Sequence, residues 1–227
     1  PEFRTGLLII IGMPLLLILW HWFNTFEVDA SGEPIQALRS FWGGLFTVMS
    51  FLSTTGFESA DWDTTREWSG LQTPGMILLG LSVIGGGVAT TAGGVKLLRV
   101  YALYLNGMRE MERLVHPSSV SGEGSGNKRI QSNGAFVAWV FFMLFALSLA
   151  LISIALSAVG SDFEQSLILA VASLSTTGPL TEIAGNAPIV LSSLAPVAKL
   201  ILCFAMVLGR LETLAIIALL SPNFWRS

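Results

Sequence analysis

Phe51-Leu52-Ser53-Thr54-Thr55-Gly56-Phe57 and Leu174-Ser175-Thr176-Thr177-Gly178-Pro179 are the two stretches on which the reading of this chain turns. They share the pentapeptide LSTTG at a separation of 122 residues, and each follows a short apolar run, 41–51 and 166–173. Longer apolar stretches flank both, 6–23 and 74–113 around the first copy and 135–158 and 188–220 around the second. The order apolar helix, acidic segment, short apolar run with LSTTG, long apolar helix therefore occurs twice. Matching context on both sides of the motif points to duplication rather than chance.

The chain belongs in lipid. Of its residues 52% are apolar and 12% charged, and the mean hydropathy is +0.70, which leaves too little polar surface for a water-soluble domain. A helix of about 20 residues crosses the roughly 30 Å hydrocarbon core, and 6–23 and 135–158 meet that length. The first ends in Trp20, His21, Trp22 and Phe23, an interfacial aromatic belt rather than the cleavage site of a signal peptide. Six basic residues against three acidic ones lie in 96–134, so that segment is expected in the cytoplasm. Segments 24–73 and 159–187 hold ten of the fifteen carboxylates with only Arg39 and Arg66, and are expected outside.

With the chain outside both before and after them, the short runs must dip into the membrane and return, because 8 to 11 residues cannot span. A helix ending inside the membrane aims its last carbonyls and the negative end of its dipole at whatever lies there, which favours a cation. The following backbone adds carbonyl oxygens, with Gly56 and Gly178 supplying unusual conformations. The candidate ion-binding residues are Ser53, Thr54, Thr55 and Gly56 and Ser175, Thr176, Thr177 and Gly178, with K+ expected at Thr54, Thr55, Thr176 and Thr177. The alternative is that each LSTTG ends a helix in an outer loop with its Gly as the cap.

The stretch Gly85-Gly86-Gly87-Val88-Ala89-Thr90-Thr91-Ala92-Gly93-Gly94 has five glycines in ten positions within a long apolar segment. Each interior Gly costs about 1 kcal/mol of helix stability relative to Ala, so a broken helix is expected, forming a hinge, a cavity-lining loop or a gate. Close helix packing through small residues is the alternative. Arg210 lies in the last apolar stretch, where a charge needs a partner or water. It either faces the pore and the glycine-rich loop, or snorkels to headgroups or pairs with Glu212. Lys199, eleven residues earlier, is at another depth and has no assigned role. Residues 116–134, rich in Ser and Gly, read as a polar linker. Cys203 reads as a packing residue in the core, and His21 and His116 have no ligand cluster around them. No catalytic constellation stands out, so the chain is read as a transport protein without a cofactor, not an enzyme, and with no nucleic-acid partner.

At these motifs the sequence resembles the TrkH/KtrB family of potassium uptake proteins, related to fungal Trk and plant HKT transporters. The resemblance is carried by 53–62, by GGGVATTAGGVKLLR at 85–99, by STTGP at 175–179 and by GRLETLAIIALLSPNFWR at 209–226. It implies four helix, pore-loop, helix units around one pore, of which this chain is similar to the third and fourth. It further implies a gate formed by Gly85, Gly86, Gly87, Thr90, Thr91, Gly93 and Gly94 with Arg210, a homodimer, and a cytoplasmic nucleotide-binding subunit of the TrkA/KtrA kind. The first and second repeats are expected outside these residues, and a start at Pro1 without methionine favours a portion of a longer protein.

The expectation is thus an all-α, multi-pass protein of the bacterial inner membrane: two tandem helix, re-entrant pore-loop, helix repeats, with a broken helix in the first. The repeats occupy 1–115 and 135–227, joined by a cytoplasmic linker at 116–134. Its expected function is translocation of monovalent cations, K+ first, with secondary transport of another small solute at the broken helix as the alternative.

Overall fold

The computed structural model describes residues 2–24, 34–63, 65, 74–87, 92–115, 125–185 and 187–211. Every regular element among them is helical: α1 (Glu2–Asn24), α2 (Pro34–Leu52), α3 (Pro74–Ile84), α4 (Leu97–Val115), α5 (Ser125–Ala158), α6 (Phe163–Leu174), α7 (Leu180–Ile183), a 3-10 turn (Leu191–Ser193) and α8 (Pro196–Leu211). Three helices, α2, α3 and α8, begin on a proline. Its fixed φ suits the first helical position, where the missing N–H would have had no partner.

Within α5, Gly134–Ala158 is 25 residues long and apolar enough to cross a membrane. Leu147, Leu151 and Ile154, at helical spacing along it, are 57%, 59% and 65% exposed. A soluble chain would bury such a stripe, whereas acyl chains solvate it. The last ten residues of the polar stretch 116–134 form the first turns of α5. Cys203 is exposed rather than in the core, because α8 turns Ala198, Leu202 and Ala205 inward instead.

Helix α6 sits at the centre. Ser166 and every residue from Ile168 to Leu174 are buried. One set of its side chains, Val171 and Ala172, packs with Val48, Phe51, Leu52, Trp62, Leu78, Leu81 and Leu180. The other, Leu169, Ala170 and Leu174, packs with Ile152 and Leu156 of α5 and Ala198, Leu202 and Ala205 of α8. A helix apolar on all sides is stable only when enclosed in this way.

Helix α2 is 19 residues long, more than the apolar run 41–51 predicts, because Pro34 starts the helix two turns before the polar residues Gln36 and Arg39 give way to that run. After α2 the chain reverses and runs back along it. Ser59 N–H donates to Thr47 Oγ1 at 3.2 Å, and Thr65 Oγ1 donates to the Ser40 carbonyl at 2.9 Å. After α6 the chain also turns back, placing Gly185 beside Ile168 and Glu164.

Candidate functional site

The two LSTTG segments share one backbone course through the second threonine and part at the glycine. In the first, Thr54 N–H donates to Phe51 O (3.1 Å) and Thr55 N–H to Ser50 O (2.9 Å); in the second, Thr176 N–H donates to Ser173 O (3.3 Å) and Thr177 N–H to Ala172 O (2.9 Å). These paired bonds close a helix C-terminus whose next residue is left-handed. That residue is Thr54 in one copy and Thr176 in the other, both at φ 58°. The helix-cap alternative is therefore correct about the hydrogen bonds and wrong about the residue, since glycine is the usual occupant.

A β-branched residue in the left-handed region is strained by about 1–2 kcal/mol. Glycine is the usual occupant of such a cap, and both loops place a threonine there instead. Their hydroxyl chemistry also repeats. Ser53 Oγ lies 3.0 Å from Thr55 Oγ1, and Ser175 Oγ donates to Thr177 Oγ1 at 3.0 Å. These side chains hold one another, so the remaining polar groups of the loops are chiefly backbone carbonyls. In the first loop the N–H groups of Ser53, Thr54, Thr55 and Gly56 all turn back onto Met49, Ser50 and Phe51. Donors are spent inward, which biases the outward surface toward cations.

The loops touch. A Cβ added to Gly56, at φ +85°, would stand 2.6 Å from Thr177 Cγ2 and 3.1 Å from Pro179 Cδ. Gly178 has open space around it and is not among the residues with positive φ, so only one of the two motif glycines is conformationally required.

The glycine-rich stretch lies against the second loop. Helix α3 ends at Ile84 and α4 begins at Leu97, and the described residues between them, 85–87 and 92–96, are not helical. Gly85 and Gly94 have φ of 71° and 80°, and Lys96 has 72°. Val95 N–H donates to Val83 O at 2.9 Å and Leu97 N–H to Gly86 O at 3.1 Å, so the returning segment satisfies one carbonyl that α3 frees at its end and one just beyond it. Gly93 packs on the backbone of Ser175. Thr90, Thr91 and Glu212 lie outside the described residues.

Arg210, in the last turn of α8, lines a groove of about 490 Å³ together with Ser173, Thr176, Gly178, Thr181 and Met206. Its neighbour Gly209 packs on the Leu174 carbonyl, which keeps the end of α8 against the junction of α6 and the second loop. Lys199 is near the other end of α8, where its Nζ donates to the Ser192 carbonyl at 2.8 Å. On the acidic side, partial desolvation and then the carboxylates of Asp63 and Glu182 push Glu58 above the usual carboxylate range. Gly209 and Pro179 are the contact residues that sequence reasoning left without a role. For Gly209 the signal was there, a glycine inside an apolar helix directly before the arginine.

The family model described as TrkH, cation transport protein, matches residues 5–227. Trk system potassium uptake protein TrkH of Escherichia coli K12 is 34% identical over all of this chain and 44% of its own length. TrkI of Halomonas elongata, also described as a Trk system potassium uptake protein, is 32% identical over 95% of this chain and 42% of its own length. The crystal structure of the potassium transporter TrkH from Vibrio parahaemolyticus superposes with a TM-score of 0.77 at 30% identity, covering 100% of this chain and 45% of that one. The chain thus spans less than half the length of the relatives it matches.

Proposed function

This chain belongs to the TrkH family of cation transport proteins, and from that premise we propose that it moves K+ across the bacterial inner membrane as part of the pore-forming subunit of a Trk/Ktr-type uptake system. The observation that carries this reading is the pair of left-handed threonines, Thr54 and Thr176, each closing a helix with the same two hydrogen bonds. Such loops spend N–H groups inward and leave carbonyls to replace the hydration shell of an ion. The potassium uptake described for the relatives in Escherichia coli and Halomonas elongata supports K+ as the cargo.

On this reading the chain is two tandem helix, re-entrant loop, helix repeats, 1–115 and 135–227, joined through 116–134. The return of the chain along α2 supports the re-entrant geometry. Residues 53–56 and 175–178 supply two of the loops that surround the ion, and two further repeats complete the ring. Gly85, Gly86, Gly87, Gly93 and Gly94, with Thr90 and Thr91, form the gate beneath them. Arg210 adds a positive charge at the inner end of the loops, where at an effective dielectric of about 20 a unit charge 4 Å from a cation raises its energy by about 4 kcal/mol. The resemblance also carries a homodimeric assembly and a TrkA/KtrA-like nucleotide-binding subunit on the cytoplasmic side.

Rubidium uptake by the full-length protein in proteoliposomes, with Na+ as competitor, tests both parts. Gly56→Ser alters the discrimination between the ions, and replacement of 85–94 by a short linker raises flux. If neither variant changes uptake, the filter and gate reading is wrong.

A further inference from the structure

Leu174 and Ser175 join the end of α6 to the second loop, and two glycines grip that junction from different parts of the chain. Gly209 of α8 lies against the Leu174 backbone: an added Cβ would meet the Leu174 carbonyl oxygen, with its carbonyl carbon at 2.8 Å and Cα at 2.9 Å. Gly93, between α3 and α4, lies against Ser175: an added Cβ would meet the Ser175 oxygen, with its carbonyl carbon at 2.5 Å and Cα at 2.8 Å. Neither glycine is at positive φ, so alanine suits both backbones, and at 209 it is the better helix former. The lack of a side chain at these two positions is explained by the contact alone. What they touch is backbone, which cannot rotate aside as a side chain can.

We propose that Gly93 and Gly209 are positioning residues that clamp the Leu174–Ser175 peptide and so fix the Thr176 carbonyl, the next along the chain, at the spacing that discriminates between cations. The proposal rests on the reading of the loops as a filter. It also gives Gly93 a role beyond gating: the glycine-rich loop of the first repeat bears directly on the filter backbone of the second. A gate that only blocks the path changes flux and leaves the ion ratio alone. A clamp changes the ratio.

The test uses the full-length protein in proteoliposomes and reads the ratio of Rb+ to Na+ uptake per assembled transporter, which the amount of folded protein does not affect. Gly209→Ala and Gly93→Ala each lower that ratio about tenfold, while Gly80→Ala, on α3 with open space around its Cβ position, leaves it unchanged. Should Gly209→Ala fail to assemble, Gly93→Ala, in a non-helical segment, decides alone. An unchanged ratio in Gly93→Ala and in any assembled Gly209→Ala, with a changed one in Gly56→Ser, overturns the clamp and leaves the filter standing. An unchanged ratio in Gly56→Ser as well removes the filter and the clamp together.

Discussion

The two LSTTG loops share a backbone turn at Thr54 and Thr176 and sit in two environments. Ser175 and Thr177 are wholly buried, whereas Ser53 and Thr55, bonded to each other in the same way, are exposed. The second loop is walled by the glycine-rich stretch on one side and α8 on the other. The first has such company on one side, where Gly56 meets Thr177 and Pro179. Local sequence therefore sets the conformation of the loop, and neighbours set its solvation. In the proposed four-unit pore, the neighbours of the first loop belong to the repeats beyond this chain.

The contrast between the motif glycines gives the largest expected effect. Gly56→Ala adds left-handed strain and a collision with Thr177, together about 2–4 kcal/mol, while Gly178→Ala stays within about 0.5 kcal/mol. Denaturation midpoints of the purified full-length protein measure both, and equal losses would erase the distinction. The serines come next. Ser175→Ala removes the buried bond from Ser175 Oγ to Thr177 Oγ1 and leaves Thr177 only its bond to the Ser175 carbonyl, at a cost of about 1–1.5 kcal/mol, against about 0.5 kcal/mol for Ser53→Ala if that loop stays wet. A Ser53→Ala loss as large as that at Ser175 would show the first loop equally enclosed in the full protein.

The smallest effect concerns Glu58, just beyond the first loop. Its carboxyl is held above the ordinary value of 4.5, so ionising it costs more in the folded state than in the unfolded one. Its contribution to stability is present in full below pH 4.5 and is lost as pH rises through the raised value. Glu58→Gln flattens that slope, by no more than about 0.5 kcal/mol once solvent screening is counted. A slope unchanged by the substitution would assign the pH dependence elsewhere.

Composition and charge make the membrane assignment legible in the sequence, and the glycine run makes the interruption between Ile84 and Leu97 legible. The left-handed threonines were not legible. Backbone preference points to Gly56 and Gly178, and of these Gly56 is left-handed and Gly178 is not, while the hydrogen bonds to Ser50 and Ala172 place a further left-handed residue at Thr54 and Thr176. The length of α2 was hidden because Gln36 and Arg39 interrupt the apolar pattern without interrupting the helix. Gly209 was visible only as a composition anomaly, since a helical glycine looks the same in sequence whether or not another backbone lies against it.

Helix α6 also constrains how the protein is made. At 12 residues it is about 18 Å long, too short to settle across a bilayer by itself, and one of its buried faces packs on Ala198, Leu202 and Ala205 of α8, the last helix to leave the ribosome among those described. That face of α6 is covered only once α8 has been made, so the helix at the centre of the described fold completes its packing after every other described helix is in place.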